Sequence, residues 1–482
     1  MGELAHRLPP DCQTAARPRV FWWPDAFGWR GWRFGALRRS LSRSSHRVEH
    51  LLCADFVIIP HGPSAEVDDD ALRQRLLTIF RSVHFRNSSR ARYLMLAPCD
   101  HGSGDCIAFH RQLPPMIREA VAPSSATRHL GFLTTAASPR HFFVRGVDIR
   151  LPHDEAHHCG PYCGLSARER WGGRPVRPVG AMRVAAQAQL RALSPWNRGE
   201  ATDAMLRRPR RWTLFWSGSV TERTERYALW RHHHGRDRFQ IQVTSGACTS
   251  CCDGSPPRSQ AFDRHTMPAM MAQSDFCAVP PGQDDGDSDR QIAAVLYACI
   301  PVFLSGGDET LPLEEVLPWD AISVRLSARQ IPELHHILSA ISPARVIAMR
   351  RRMRDVWPSL LWPSRAPSTP PLVDSQSDPP LADDAFAAFM RLLRRRLGDG
   401  LAPLGAPLGV AAPADAARAS QIERWEAAHA ERRPPAGLTG KALAEARARK
   451  PPKAWACVRQ RQQRQWWVAN ASSMAHNSQR LR

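Results

Sequence analysis

Residues 274–324 read SDFCAVPPGQDDGDSDRQIAAVLYACIPVFLSGGDETLPLEEVLPWDAISV, and this patterning constrains the chain more than any other stretch. Phe276 to Val279 is a short apolar run closed by Pro280, Pro281 and Gly282. From Arg290 to Ala298 apolar residues fall at Ile292, Val295 and Leu296, the spacing of one helical face. Cys299 to Leu304 is then a continuous apolar run of the kind buried on both faces of a parallel sheet, ended by Gly306 and Gly307. The spacing therefore predicts a β-α-β unit. In open α/β sheets ligands sit outside the carboxyl ends of the strands, where the loops 280–288 and 305–312 would both lie. Asp287 or Ser288 is a candidate N-cap. A helix start leaves backbone N–H groups unpaired with partial positive charge, a seat for a phosphate, and Arg290 would stand beside it. The blander alternative, on periodicity alone, is a structural β-α-β unit with a decorative loop.

The rest of the chain repeats this alternation. Strands are expected at 51–60 (LLCADFVIIP), 93–97 (YLMLA), 130–134 and 142–149, with a strand, turn and short helix within 19–47 and a helix over 68–83. After a helix-bearing linker from Gly180, a second α/β run opens with RRWTLFWSGS at 210–219. It continues through a helix over 221–233, the strand DRFQIQV and a helix over 343–357. Two α/β domains in tandem, 19–205 and 206–363, are the economical reading. Residues 364–482 turn to Pro, Ser, Ala and Arg with few large aliphatics, which predicts a largely disordered basic tail carrying one helix at 383–397.

With 482 residues, 43% of them hydrophobic, the chain can build ordinary cores. Its formal net charge of +21 suits an anionic partner, either nucleic acid or a sugar nucleotide and acidic polysaccharide. The arginines are not interleaved with aromatics as a nucleic-acid stripe would be. Twelve cysteines cluster at Cys99/Cys106, Cys159/Cys163 and Cys248/Cys251/Cys252. Local disulfides, free thiols and zinc ligation all remain open, zinc being disfavoured because the spacing is not that of paired CxxC knuckles. Sequons stand at Asn87 and Asn470. No run approaches the roughly 20 apolar residues that span a bilayer, and residues 1–18 show no signal-peptide core.

The 274–324 stretch resembles the signature of the exostosin family of glycosyltransferases. Its pieces stand here as Ser274, Phe276, Cys277, Pro280 and Gly282, then Ser288 and Arg290, then Ala298-Cys299-Ile300-Pro301-Val302, then Leu311-Pro312-Leu313 with Leu317 and Trp319. CADFVIIP, RARYLMLAPCDHG, GVDIRLP and RRWTLFWSGS extend the likeness over about residues 19–362. The resemblance implies a GT-B architecture, two Rossmann-like domains facing a cleft. It further implies inverting transfer from a UDP-sugar to a glycan or glycoprotein acceptor, in the Golgi membrane or lumen, with no cofactor besides the donor substrate. Ser217, Gly218, Arg226, Gly282, Ser288 and Arg290 would hold the diphosphate. Asp148, then Asp100 and His101, are the candidate bases, at strand ends of the first domain. No metal ligands are expected, and a homo- or hetero-oligomer is an open expectation. Two features depart from the family pattern: Ala293 replaces the acidic residue that would hold the ribose hydroxyls, and QDDGDSD crowds acids where a diphosphate should sit. The alternatives are a related partner or scaffold that has lost donor binding, and a basic nucleic-acid-binding protein.

Overall fold

The computed structural model describes residues 17–23, 34–60, 92–97, 130–134, 148–152, 194–198, 203–220, 224–245, 267–281, 290–305, 309–362 and 384–398, with helical positions at 74 and 77–79. Outside these lie the loop with Gly282 and Ser288, the Asp100/His101 corner, all three cysteine clusters, both sequons, most of the expected 68–83 helix and the 180–193 linker, and everything after 398.

The first sheet is wholly parallel. It comprises β1 (Val20–Trp22), β2 (Arg47–Val48), β3 (Phe56–Ile59), β4 (Arg92–Ala97), β5 (Leu130–Thr134) and β6 (Ile149–Arg150), in the order β2-β1-β3-β4-β5-β6. Helix α1 (Gly35–Ser42) connects β1 to β2 and buries Ala36, Leu37 and Leu41. All four residues of β3 and Tyr93 to Leu96 of β4 are buried, as strands covered on both faces must be. Asp55, just before β3, receives the Arg19 backbone N–H at 2.8 Å and its Nε at 3.2 Å, fastening the entry to β1.

The second sheet is parallel as well. Helices α2 (Asp203–Arg207), α3 (Thr224–His233), α4 (Met267–Ala272), α5 (Arg290–Leu296) and α6 (Trp319–Ile322) alternate with β7 (Trp212–Ser219), β8 (Phe239–Ser245), β9 (Ser274–Val279), β10 (Ile300–Phe303) and β11 (Val324–Arg325). The strand order is β11-β10-β9-β7-β8. The quoted stretch is thus β9-α5-β10, with Phe276 opposite Ile300 and Val279 opposite Phe303.

Two features of this unit differ from the sequence reading. Helix α5 was expected to bury one face, yet all seven of its residues are buried. Its outer side is covered by the 194–196 segment, where Ser194 Oγ donates to the Leu296 carbonyl at 2.6 Å and Trp196 Nε1 to that of Val295 at 2.8 Å. Each large aliphatic so enclosed contributes about 2 kcal/mol. The other feature is a disulfide between Cys277 of β9 and Cys299, just before β10, two residues outside the cysteine clusters. Cys53 is disulfide-bonded too. Helix α5 ends through Ala298, whose φ of 54° is left-handed and lets the Cys299 N–H return to the Ala294 carbonyl at 2.9 Å.

After β11 come α7 (Leu334–Ser339) and α8 (Pro343–Val356), the latter capped by Ser342 Oγ accepting from the Arg345 N–H at 3.3 Å. Helix α9 (Ala385–Gly398), placed in the tail by the sequence, packs into the body. Asp384 caps it by accepting the Ala387 N–H at 2.8 Å, and its apolar stripe buries Ala388, Phe389, Leu392 and Leu393. The helix reaches the first sheet's layer, where Phe386 meets the His46 ring at 6.5 Å.

The carboxyl ends of the two sheets meet at a seam. Arg150 closes β6, and its fully buried guanidinium donates to Glu309 Oε1 at 2.9 Å and to the Thr310 carbonyl at 2.6 Å, both in the loop after β10. The Leu313 N–H donates to the Arg150 carbonyl at 2.9 Å. Leu313 holds φ at 51°, a conformation a bulky residue adopts only when its surroundings impose it. Trp362 Nε1 donates to the Pro152 carbonyl at 2.9 Å, and Arg396 of α9 binds both the Asp148 carbonyl at 3.0 Å and the Glu315 carboxylate.

Candidate functional site

At the carboxyl edge of the second sheet the register lines up the ends of β7, β9 and β10. Phe215 and Cys277 pair, as do Val279 and Phe303, so Ser217, Val279 and Phe303 occupy one level. Arg290 opens α5 at this edge. Its Nη2 donates to the Ser217 carbonyl at 2.8 Å, and its guanidinium carbon lies 5.9 Å from the Trp216 ring centroid. The cation therefore lies across the end of β7, half over an indole, and the Arg290 residue is 8% exposed. Gly218 is what permits this. A Cβ built there would stand 2.6 Å from Arg290 Nη2 and 3.0 Å from Trp216 Cζ2.

Trp216 Nε1 on this face of β7 and Ser217 Oγ on the opposite one are buried with no hydrogen-bond partner among the described residues. Arg226 of α3 is also buried, and its Nε donates to the Pro281 carbonyl at 2.9 Å. Rather than projecting outward it fastens the first residues of the loop that leads from β9 toward Arg290. The structure thus brings Ser217, Gly218, Arg226 and Arg290 to one edge; Gly282 and Ser288 fall outside the described residues.

Asp148 lies across the seam from this edge. It is 1% exposed and lines a cavity of about 250 Å³ together with Arg150, Thr310, Leu313, Glu314, Glu315 and Leu392. Sequence reasoning missed every one of those partners. GVDIRLP and LPLEEVL both stand out in the sequence, but nothing in the spacing says that blocks some 160 residues apart share one wall. The carboxylates here have cations of their own: Glu314 meets Arg325 at 2.5 Å, Glu309 meets Arg150, and Glu309 also accepts from Ser305 Oγ at 2.9 Å. Asp100 and His101 lie outside the described residues. Ala293, at the position where an acid was expected, is 1% exposed inside α5. Among the described residues no group of three or more His, Cys, Asp or Glu is placed to hold a metal ion. No helix among them is long and apolar enough to cross a membrane.

Two parallel sheets whose carboxyl edges face a common seam, with an arginine at a helix start on one edge and an acid on the other, form an α/β fold of the GT-B kind. Comparison with known proteins is specific on the same region. Residues 176–341, which contain β7 to β11 and Arg290, match the Exostosin GT47 domain. A probable glycosyltransferase of Arabidopsis thaliana is 38% identical over 87 residues, 18% of this chain and 16% of that protein. Exostosin-1c of Danio rerio is 32% identical over 142 residues, and exostosin-1 of Drosophila melanogaster 28% over 142, in each case 27% of this chain and 18% of the relative. Over residues 176–341 the chain carries an exostosin GT47 domain, and it is there that it is similar to exostosins. Each alignment spans less than a fifth of the relative's own length.

Proposed function

We propose that the chain transfers a sugar from a UDP-sugar to a glycan or glycoprotein acceptor with inversion, binding the donor at the carboxyl edge of the second sheet and the acceptor from the first. The observation that carries this reading is Arg290. It is a buried cation at the start of a helix, laid over Trp216 against Gly218, where a diphosphate would meet a guanidinium. Stabilising charge on the departing UDP is the largest contribution such an edge can make to transfer. Asp148 is the base in this reading. It faces a cavity bordered by both lobes, and its access to an acceptor hydroxyl runs through that cavity. Residence in the Golgi lumen agrees with the Cys277–Cys299 disulfide, since disulfides persist in oxidising compartments.

A screen of nucleotide-sugars for release of the free nucleotide tests the assignment. One UDP-sugar should be turned over by the parent, and Arg290→Ala should slow turnover by about 10²-fold or more, the usual scale for losing a charge-stabilising donor. Turnover unchanged in Arg290→Ala contradicts the assignment. One observation favours a second reading, a family member that has lost donor binding and serves as a partner: Ala293 leaves α5 without a carboxylate for ribose. No turnover with any donor supports it.

A further inference from the structure

Asp148 stands where its own sheet does little to fix it. It immediately precedes β6, a strand of two residues that among the described residues pairs on one side alone, with Ile149 opposite Leu133 and Arg150 opposite Thr134. An edge strand shorter than the ordinary range makes few ladder bonds, so the place of the residue before it depends on what lies outside the sheet. Helix α9, from the far end of the chain, lies there. Arg396 Nη2 donates to the Asp148 carbonyl at 3.0 Å, and the same guanidinium holds the Glu315 carboxylate through Nη2 and through Nε, the latter at 3.0 Å. Arg396 is 8% exposed, so the fork works largely out of water, where charge-assisted hydrogen bonds are strongest.

The same face of α9 also builds the wall beside the acid. Leu392 stands four residues before Arg396, one helical turn away, and lines the Asp148 cavity together with Glu314 and Glu315. Other residues of α9 share its docking but do not reach this wall. Arg394 Nη2 donates to the Arg17 carbonyl at 3.2 Å, Arg391 Nη2 to Ser359 Oγ at 3.5 Å, and Phe386 meets His46. Arg396 is thus set apart from its neighbours, since it joins the backbone of Asp148 in the first lobe to a carboxylate of the second.

We propose that Arg396 is a positioning residue for transfer: by bridging the Asp148 carbonyl and the Glu315 carboxylate it sets the carboxylate of Asp148 against the cavity in which the attacking hydroxyl is presented. This rests on the reading of Asp148 as the base. Arg396 touches no reacting atom and is remote in role from Arg290, which faces the donor. The planar fork is what the bridge requires, because it directs N–H groups to two acceptors at once; an ammonium keeps the charge and loses the paired geometry.

The test measures release of UDP from the UDP-sugar that the full-length parent turns over, water standing in for the acceptor hydroxyl, with UDP affinity by calorimetry and melting temperature read in parallel. Arg396→Ala should lower kcat about 10- to 100-fold, the scale of a catalytic group displaced by about 1 Å. Its donor KM and UDP affinity should stay within about twofold of the parent, as for a loss confined to the transition state. Arg396→Lys should recover at least about threefold of the lost kcat. Arg394→Ala, which removes a neighbouring exposed cation of the same helix, should keep kcat within about twofold. If Arg396→Ala is unfolded at the assay temperature, Glu315→Gln, which frees the fork from the second lobe, is read instead with the same direction expected. Absence of turnover in the parent overturns the transfer reading and this proposal with it. With an active parent, an unchanged kcat in the variant, a fall in kcat matched by a loss of UDP affinity, or an equal fall in Arg394→Ala overturns this proposal alone.

Discussion

At Gly218 the space a side chain would fill is occupied by Arg290, and this makes a glycine the test of the cation beside it. Gly218→Ala pushes on the far end of a flexible side chain more than on the backbone, so the melting temperature should move little while the guanidinium shifts. UDP affinity should fall about tenfold, the loss of roughly one charge-assisted hydrogen bond, read by calorimetry. A second residue carries a pH dependence. His233, at the end of α3, is buried with its Nε2 2.5 Å from the Ile331 carbonyl. It packs against Phe239 of β8 and His335 of α7, with His232 and Arg236 beside it in the chain. Burial pushes its pKa down to about 4 despite the Ile331 bond, and Arg236, His232 and His335 act in the same direction. An unfolded histidine titrates near 6.5, so between about 6.5 and about 4 the unfolded chain binds more protons than the folded one. Stability is therefore complete above pH 6.5 and is lost as pH falls through that window. Denaturant midpoints measured from pH 7 to pH 4 should decline, and His233→Gln should flatten the decline.

Among the elements, the β9-α5-β10 unit was legible because strand and helix periods differ, and its boundaries came out within two residues. Its burial was not. Periodicity reports which positions can face a core, whereas the covering of the outer face of α5 by Ser194 and Trp196 is a contact between segments about 100 residues apart. The Cys277–Cys299 bond was hidden for a similar reason: each cysteine read as one more apolar residue in a buried strand, and only the parallel register places them together. Closing a loop of 22 residues removes chain entropy worth about 3 kcal/mol. Cys277→Ala/Cys299→Ala should lose about that much in equilibrium unfolding, and reduction of the parent under mild denaturant should reproduce the loss. Helix α9 makes the converse case. Its apolar stripe was visible, but the Pro- and Ala-rich chain around it argued for a tail, and its docking depends on Arg396 meeting Asp148 and Glu315 far upstream.

For the molecule as a whole, two parallel sheets could be foreseen from alternating strands and helices, and the strand-end location of the site from the rule that ligands bind at carboxyl edges. The seam could not. Arg150, Glu309 and Leu313 carry no signature as a set, and they become a unit only when the first sheet's last strand meets the loop after β10. The account rests on Arg290 receiving a nucleotide's diphosphate at the carboxyl edge of the second sheet. Isothermal titration of the full chain with UDP, parent against Arg290→Ala, measures this most directly. The account predicts saturable binding by the parent and an affinity lower by about 1.5–3 kcal/mol, at least tenfold, in the variant. Equal affinity in the two proteins would contradict it.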